Sequence, residues 1–522
     1  MAIAGVYRAG DHRRFDRRRS GARKPIYRRR RDLAAKISSL DQSNSYLDSG
    51  PARRVSRISC DLRLLLLNTD ERRIMARYGV AIWAALLTLA VSAPLVYSLF
   101  VVEPSVAKSV FLPGETTHGH YQIELKCSAC HDAGAGVNNN SCRDCHTALQ
   151  EYDTHPAKKF RDPTNAHRLE KIEARECVTC HREHDPHETT AMGVTIPTNY
   201  CVYCHDEIAQ SRPSHANFEF NTCTTSGCHN YHDNSALYED FLFKHDGASD
   251  ILADPHVPLL SPEIDPAKRV VKPDAPAGTK YDATLETDWR ETAHAAAGVN
   301  CAGCHAQPVE KGGTAKWREQ LTTHDCETCH QSEHAGFLQG MHGMRIAAGL
   351  SPMTPEQARL PMKAAAAHRE LSCTSCHDDH RFDTQHAAVN ACLNCHDDEH
   401  SQAYQASSHF ELWKAEVAGT APAGSGVSCA TCHLPRVEEG RRVTVQHNQN
   451  ANLQPNEAMV RSVCLNCHGL QFSLDSLADT QLLENCFQAK PTVHVESLEM
   501  AKAWFEAKER EKQARNRKQS SD

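Results

Sequence analysis

Cysteine and histidine at fixed spacing carry the chemistry of this chain. Ten times the sequence reads Cys-x-x-Cys-His: Cys127, Cys130 and His131; Cys142, Cys145 and His146; Cys177, Cys180 and His181; Cys201, Cys204 and His205; Cys301, Cys304 and His305; Cys326, Cys329 and His330; Cys373, Cys376 and His377; Cys392, Cys395 and His396; Cys429, Cys432 and His433; Cys464, Cys467 and His468. An eleventh is stretched, with four residues between Cys223 and Cys228 and His229 directly after. The motifs use 22 of the 24 cysteines and leave Cys60 and Cys486. Two thiols so spaced reach the two vinyl groups on one porphyrin edge, and the next residue sets an imidazole under the iron. A zinc site needs no histidine after every second cysteine. A redox dithiol would not recur eleven times, and disulfide scaffolds this rich in cysteine are chains below about 100 residues. The pattern predicts covalently attached haem c, eleven copies, or ten if the stretched motif is empty.

Composition agrees. Only 6% of the 522 residues are aromatic and 40% hydrophobic, which is lean for a chain of this length. A side-chain core would draw on more Phe, Tyr and Trp. The motifs share the 342 residues from Cys127 to His468, about 31 each, too few for one domain per motif. The porphyrins are therefore expected to pack on one another and fill the interior.

Each iron has a second axial position. Twenty-one further histidines follow the apolar run described below, so histidine on both faces of every haem is affordable. His184, His232, His334, His380 and His400 lie just after motifs, and His118 and His120 lie ahead of the first. Methionine is the other candidate ligand, and Met341-His342-Gly343-Met344 is the one local stretch offering it. Mostly bis-histidine, low-potential haems are expected, and the surplus of histidine hides whether one site is open.

The elements that position these residues are expected to be mainly α with little regular structure. That makes a haem-packed multihaem fold behind one N-terminal transmembrane helix, with a long helix at the C-terminus. Gly79 to Val102 is an uncharged run of 24 residues, long enough to span a bilayer. Arg72, Arg73 and Arg77 precede it, which places the N-terminus inside and everything after Glu103 outside. Pro94 just after the small-residue Val91-Ser92-Ala93 stretch disfavours cleavage, so the span 78–103 reads as an anchor in the inner membrane with a periplasmic haem region. Residues 1–77 hold 20 basic and 8 acidic side chains, leaving 38 and 57 in the remainder. This leader reads as disordered, Met75 reads as the better start, and Cys60 has no part in haem binding. Residues 104–232 form a pentahaem module, 233–293 a haem-free linker or a long loop packed on the haems, 294–492 a hexahaem module, and 493–522 a helix and tail. Candidate helices are Leu285–Ala297, Pro355–Glu370, His400–Glu416 and Val493–Arg517, the last rich in Glu/Lys pairs four apart.

Two families are resembled. The N-terminal module, with His118 and His120 ahead of dense motifs and one four-residue spacing, resembles class III cytochromes c, which are electron carriers. From Cys373 the order CTSCHDDHRF, ACLNCHDDEHSQAYQASSHFELW, VSCATCHLPR, a His447-Asn448 pair and VCLNCHG is similar to the last four haem sites of the hydroxylamine oxidoreductase and multihaem nitrite reductase superfamily. That resemblance covers about 100 residues and weakens upstream. It implies His380, His400, His409 and His447 as distal ligands or pocket residues. It also implies Glu399 and His400 as the acid-histidine pair beside a catalytic haem, with Cys326–His330 nearest that haem and Cys301–His305 the next candidate. Two departures matter: no Tyr follows His468 to cross-link a catalytic haem, and no motif ends in Lys.

Two functions are therefore expected. The first is electron transfer along a haem chain, from the quinone pool or a membrane partner to a terminal reductase or other acceptor. The second is reduction of a small nitrogen or sulfur compound (nitrite, hydroxylamine or tetrathionate) at one open haem, with Glu399 or His400 as proton donor. The acidic remainder favours the first, because it steers basic partners and repels anions. Redox proteins and other haem proteins are the expected partners. A second copy could dock through the C-terminal helix, and nucleic acid is not a partner.

Overall fold

The computed structural model describes residues 78–97 and 112–519, the second range with gaps of which the longest are 216–230 and 308–315. The chain divides into two units, the first ending at Val102 and the second running from Glu103 to Asp522. In the first unit Tyr78–Tyr97 is a single helix of 20 residues, apolar enough to cross a membrane. Its large side chains, Trp83, Leu87 and Val91 among them, are all exposed.

The second unit is mainly α, built of short helices and turns with two small antiparallel hairpins, His131–Val137 and Arg436–Val445. Many of the short helices are the motifs themselves. Residues i, i+3 and i+4 share one face of a helical turn, so a Cys-x-x-Cys-His sequence wound as a helix presents both thiols and the imidazole together. Cys301–His305, Cys373–His377 and Cys429–His433 are such helices. Each is started by the residue before it. The Asn300 side chain accepts from the Cys301 amide at 2.8 Å. Ser428 and Thr431 exchange side-chain and backbone hydrogen bonds at 3.1 and 3.0 Å, which satisfies two otherwise orphaned amides.

The expected long helices are interrupted where the sequence offers a new cap. Leu285–Ala297 is two helices, Ala283–Arg290 and Ala293–Ala296, because Thr292 caps the second. His400–Glu416 is likewise Glu399–Tyr404 and Ser408–Val417, with buried Ser407 accepting from the Phe410 amide at 3.2 Å. Pro355–Glu370 is not one helix: it holds two 3-10 turns, Pro355–Gln357 and Ala364–Ala366, with Pro361 between them. The C-terminal helix runs Ser497–Gln519.

Apolar side chains alone make a thin core. Among the described residues one cluster gathers Leu242, Val460, Leu470, Leu474 and Leu498, and another Val389, Tyr404 and Cys486. The haem-free stretch 233–293 is not a free tether. Its helix Glu239–Lys244 lies under the C-terminal helix, where Phe243 stacks on Phe505 at 4.4 Å and Asp246 meets Lys502 at 3.1 Å. Beyond it the chain runs along the last motif: the amides of Leu252 and His256 donate to the Cys467 and Asn466 carbonyls at 2.9 and 3.0 Å. The Val257 amide donates to Gly424 O at 2.7 Å. Gly424 sits at φ +83°, and a Cβ there would meet Val257 O at 2.8 Å, so both its conformation and its space call for glycine.

The N-terminal motifs are joined to the later ones in this same unit. Gln122 Nε2 donates to Met341 O at 2.8 Å, Arg345 Nη1 donates back to Gln122 O at 2.8 Å, and Lys126 Nζ reaches Ala348 O.

Candidate functional site

The motif histidines do not stand alone. Each of the ten described faces one non-motif histidine, with ring centroids 5.8 to 6.5 Å apart. In the N-terminal part the pairs are His131 with His184, His146 with His120, His181 with His232, and His205 with His155. In the C-terminal part His305 faces His380, His330 faces His294, His377 faces His447, and His396 faces His342. His433 faces His400 and His468 faces His409. A metal bound at about 2 Å by a ring nitrogen from each side holds two imidazole centroids roughly 6 Å apart. The gaps therefore fit an iron held between two histidines. Cys223, Cys228 and His229, and also His118, lie outside the described residues.

The hydrogen bonds decide which ring nitrogen is left to bind. Nδ1 is occupied elsewhere in half of these twenty rings. Backbone carbonyls take it from His181 (Gly193, 2.9 Å), His184 (Gly114, 2.9 Å), His305 (Arg318, 2.6 Å), His400 (Leu483, 2.8 Å), His447 (Val445, 3.0 Å), His468 (Asp250, 2.8 Å) and His155 (Tyr231). Carboxylates take it from His120 (Glu183, 2.6 Å), His232 (Asp153, 3.2 Å) and His396 (Asp398, 3.4 Å). A ring whose Nδ1 donates to such a partner presents Nε2 as the ligand, in a fixed orientation. Burial disfavours the charged form in several of the facing rings: it pushes His433 down to about 3, and His342, His377 and His409 down to about 4. Neutral imidazole is the form that binds a metal.

Among the described residues no cysteine is in a disulfide. The first thiols of different motifs abut in three places: Cys142 with Cys177, Cys326 with Cys373, and Cys392 with Cys429. Leftover Cys486 is buried beside Tyr404, and burial pushes its thiol up to about 12, which makes it inert. Cys60 lies outside the described residues.

The structure places several of the expected residues in other surroundings. His334 follows a motif closely, yet it packs against His324 and Glu327 instead of facing a motif histidine. His155, His294 and His342 take facing positions that sequence reasoning left unassigned. His342, not a flanking methionine, faces His396, and its Nδ1 lies 3.4 Å from the Gln449 amide. Glu399 is exposed on the first turn of its helix. The acid that touches a ring is Asp398, buried, capping the same helix through the Ser401 amide at 3.1 Å. Burial would raise the Asp398 carboxyl, but His396 and Ser401 outweigh it and hold the group far below the usual range. His400 faces His433, so it does not line an open pocket with Glu399. Both candidates for the open haem, Cys301–His305 and Cys326–His330, have a second histidine opposite.

Two family models match the chain. Residues 119–206 match the model described as cytochrome c3, and residues 403–521 the model described as cytochrome c552. The first match holds the motifs from Cys127 to His205 and the second those from Cys429 to His468. No curated protein and no solved structure matches significantly. With the repeated motif and the mainly helical architecture, these matches make the chain a multihaem cytochrome of the c type. Its two ends are similar to different cytochrome families.

Proposed function

We propose that this chain is an undecahaem electron-transfer cytochrome, anchored in the inner membrane by Tyr78–Tyr97 and carrying its haem region in the periplasm. It takes electrons from the quinone pool or a membrane partner and passes them to a terminal reductase or other acceptor. The observation that carries this reading is the pairing of every described motif histidine with a second histidine. On this reading the motif cysteines attach the haems, and the ten facing pairs are the axial ligands. Cys223, Cys228 and His229 are the attachment residues of the eleventh haem on this reading. Haem c bound so supplies a one-electron iron couple at each site. With an imidazole on each side, the ten described motifs would offer the iron no free coordination position. Its residues therefore favour relay over substrate binding. The three contacts between thiols of different motifs keep neighbouring attachment edges close. The acidic surplus after residue 77 suits docking of a basic partner, and the arginines before the helix suit the stated orientation.

Reduction of a small nitrogen compound is the second reading, favoured by the cytochrome c552 match. It requires one site with a single histidine. Electron paramagnetic resonance of the oxidised protein separates the two readings. Low-spin signals alone are expected. A high-spin ferric signal integrating to one haem per chain would transfer the assignment to a reductase. Intact-mass measurement is expected to give eleven haems, and fewer than ten would overturn the motif reading.

A further inference from the structure

His334 left the haem ligand set, and its surroundings give it another use. It sits in the helix Gln331–Gln339, facing the preceding helix Thr323–Glu327. On that helix His324 and Glu327 are three residues apart and share a face. Glu327 reaches both rings with different oxygens: Oε2 is 3.0 Å from His324 Nδ1, and Oε1 is 3.6 Å from His334 Nδ1. The two ring centroids are 5.2 Å apart. One ligand atom from each of the three residues lies within 4.8 Å of the others. His334 has only 4% of its side chain exposed, and its Nε2 has no hydrogen-bond partner. At 3.6 Å its Nδ1 makes no good hydrogen bond either. A buried imidazole left this poorly satisfied is costly, and the carboxylate beside it is shared with a second imidazole.

We propose that His324, Glu327 and His334 bind one divalent transition-metal ion next to the Cys326–His330 motif. Two ring nitrogens and one carboxylate oxygen suit zinc and its first-row neighbours, and they disfavour calcium and magnesium, which take oxygen ligands. Tetrahedral bonds of about 2.0 to 2.1 Å require ligand atoms about 3.4 Å apart, so the cluster closes by roughly an ångström on binding. His324, with 70% of its side chain exposed, is free to make that movement. Neighbouring Asp325 is not a fourth ligand. It caps the helix at Thr322, 2.7 Å from the amide, and pairs with Arg318. Three protein ligands leave one position to water, as in zinc sites that exchange ligands. The site rests on the reading above in which His334 is not an axial haem ligand.

The test uses the full haem-loaded protein, stripped with chelator and dialysed against zinc ion. Bound zinc is counted by elemental mass spectrometry, with iron as the internal measure of intact protein. One tightly held zinc per chain is expected. Because His334 is buried, the substitutions are made at the two exposed ligands: His324→Ala and Glu327→Gln should each weaken zinc binding by about 10-fold or more, with iron content unchanged. Zinc affinity that is the same in both variants would assign the ion to the many other histidines and overturn the proposal. So would failure of the parent protein to retain stoichiometric zinc.

Discussion

A hydrogen bond on the far ring nitrogen sets how strongly an imidazole donates to a metal, and the paired rings differ there. His120 donates to a carboxylate, Glu183, at 2.6 Å, whereas His184 and His400 donate to neutral carbonyls. A carboxylate partner increases the basicity of the ring and favours the oxidised metal. Glu183→Gln should therefore raise the midpoint potential of the Cys142–His146 haem by on the order of tens of mV. A spectroelectrochemical titration would show this as a one-haem component moving upward, and an unmoved titration would break the link between Glu183 and that site. The contrast between legible and hidden residues has a physical source. Attachment is covalent chemistry on a fixed porphyrin edge, so it forces short, exact spacing that a reader can count. The facing histidine is bound only by where the chain returns in space. His294 meets His330 and His342 meets His396 over another intervening motif, Cys301–His305 and Cys373–His377 respectively. Proximity to a motif does not fix orientation: at His334 the helix turns the ring toward His324. The acid beside a ring, Asp398, is marked in the sequence by the capping pattern Asp398-x-x-Ser401 and not by adjacency to His400.

Among the elements, the C-terminal helix was the most legible, since its formers and charge pairs act locally. What it rests on was not legible, because the partner helix Glu239–Lys244 lies in a stretch whose Pro-rich middle reads as extended. A charged clamp completes the docking: His494 lies 3.3 Å from Asp475 and 3.0 Å from Glu499, with Gln471 also at its ring. Hydrogen bonds to Asp475 and Glu499 raise the imidazole above its ordinary value. The charged form is thus favoured in the folded chain. Its contribution is fully present below about pH 6.5 and is lost as pH rises through the raised value. Hydrogen-exchange protection of residues 497–505 should fall on moving from about pH 6 to pH 8.5, and His494→Ala should remove that difference. Protection that falls equally in the variant would locate the pH response elsewhere. Gly424 fixes a second element contact, and Gly424→Ala should cost about 1 to 3 kcal/mol, measured as a lower denaturation midpoint with the haem content retained.

At the level of the whole molecule, the relative tilt of the facing rings divides the sites into two kinds. Four pairs have ring planes 4° to 35° apart and six have planes 61° to 87° apart. Near-parallel imidazoles split the iron d orbitals strongly, and near-perpendicular ones leave two of them nearly degenerate. The oxidised protein should therefore show rhombic low-spin signals together with large-g-max signals, the latter in the majority. A spectrum holding one kind alone would contradict the ring arrangement. The lean aromatic content anticipated a core short of side chains, and the two small apolar clusters agree with it. The docking of Gln122 and Arg345 near Met341 was invisible in the sequence, because nothing local marks two surfaces that meet across more than 200 residues.

The contacts of Cys142 with Cys177, Cys326 with Cys373 and Cys392 with Cys429 also bear on how the chain matures. Cysteines of different motifs that the fold brings together could, while still unattached, pair with each other as disulfides, and each such bond would close two attachment sites. On the proposed reading, haem addition at these three pairs of motifs should therefore precede the folding that brings the pairs together.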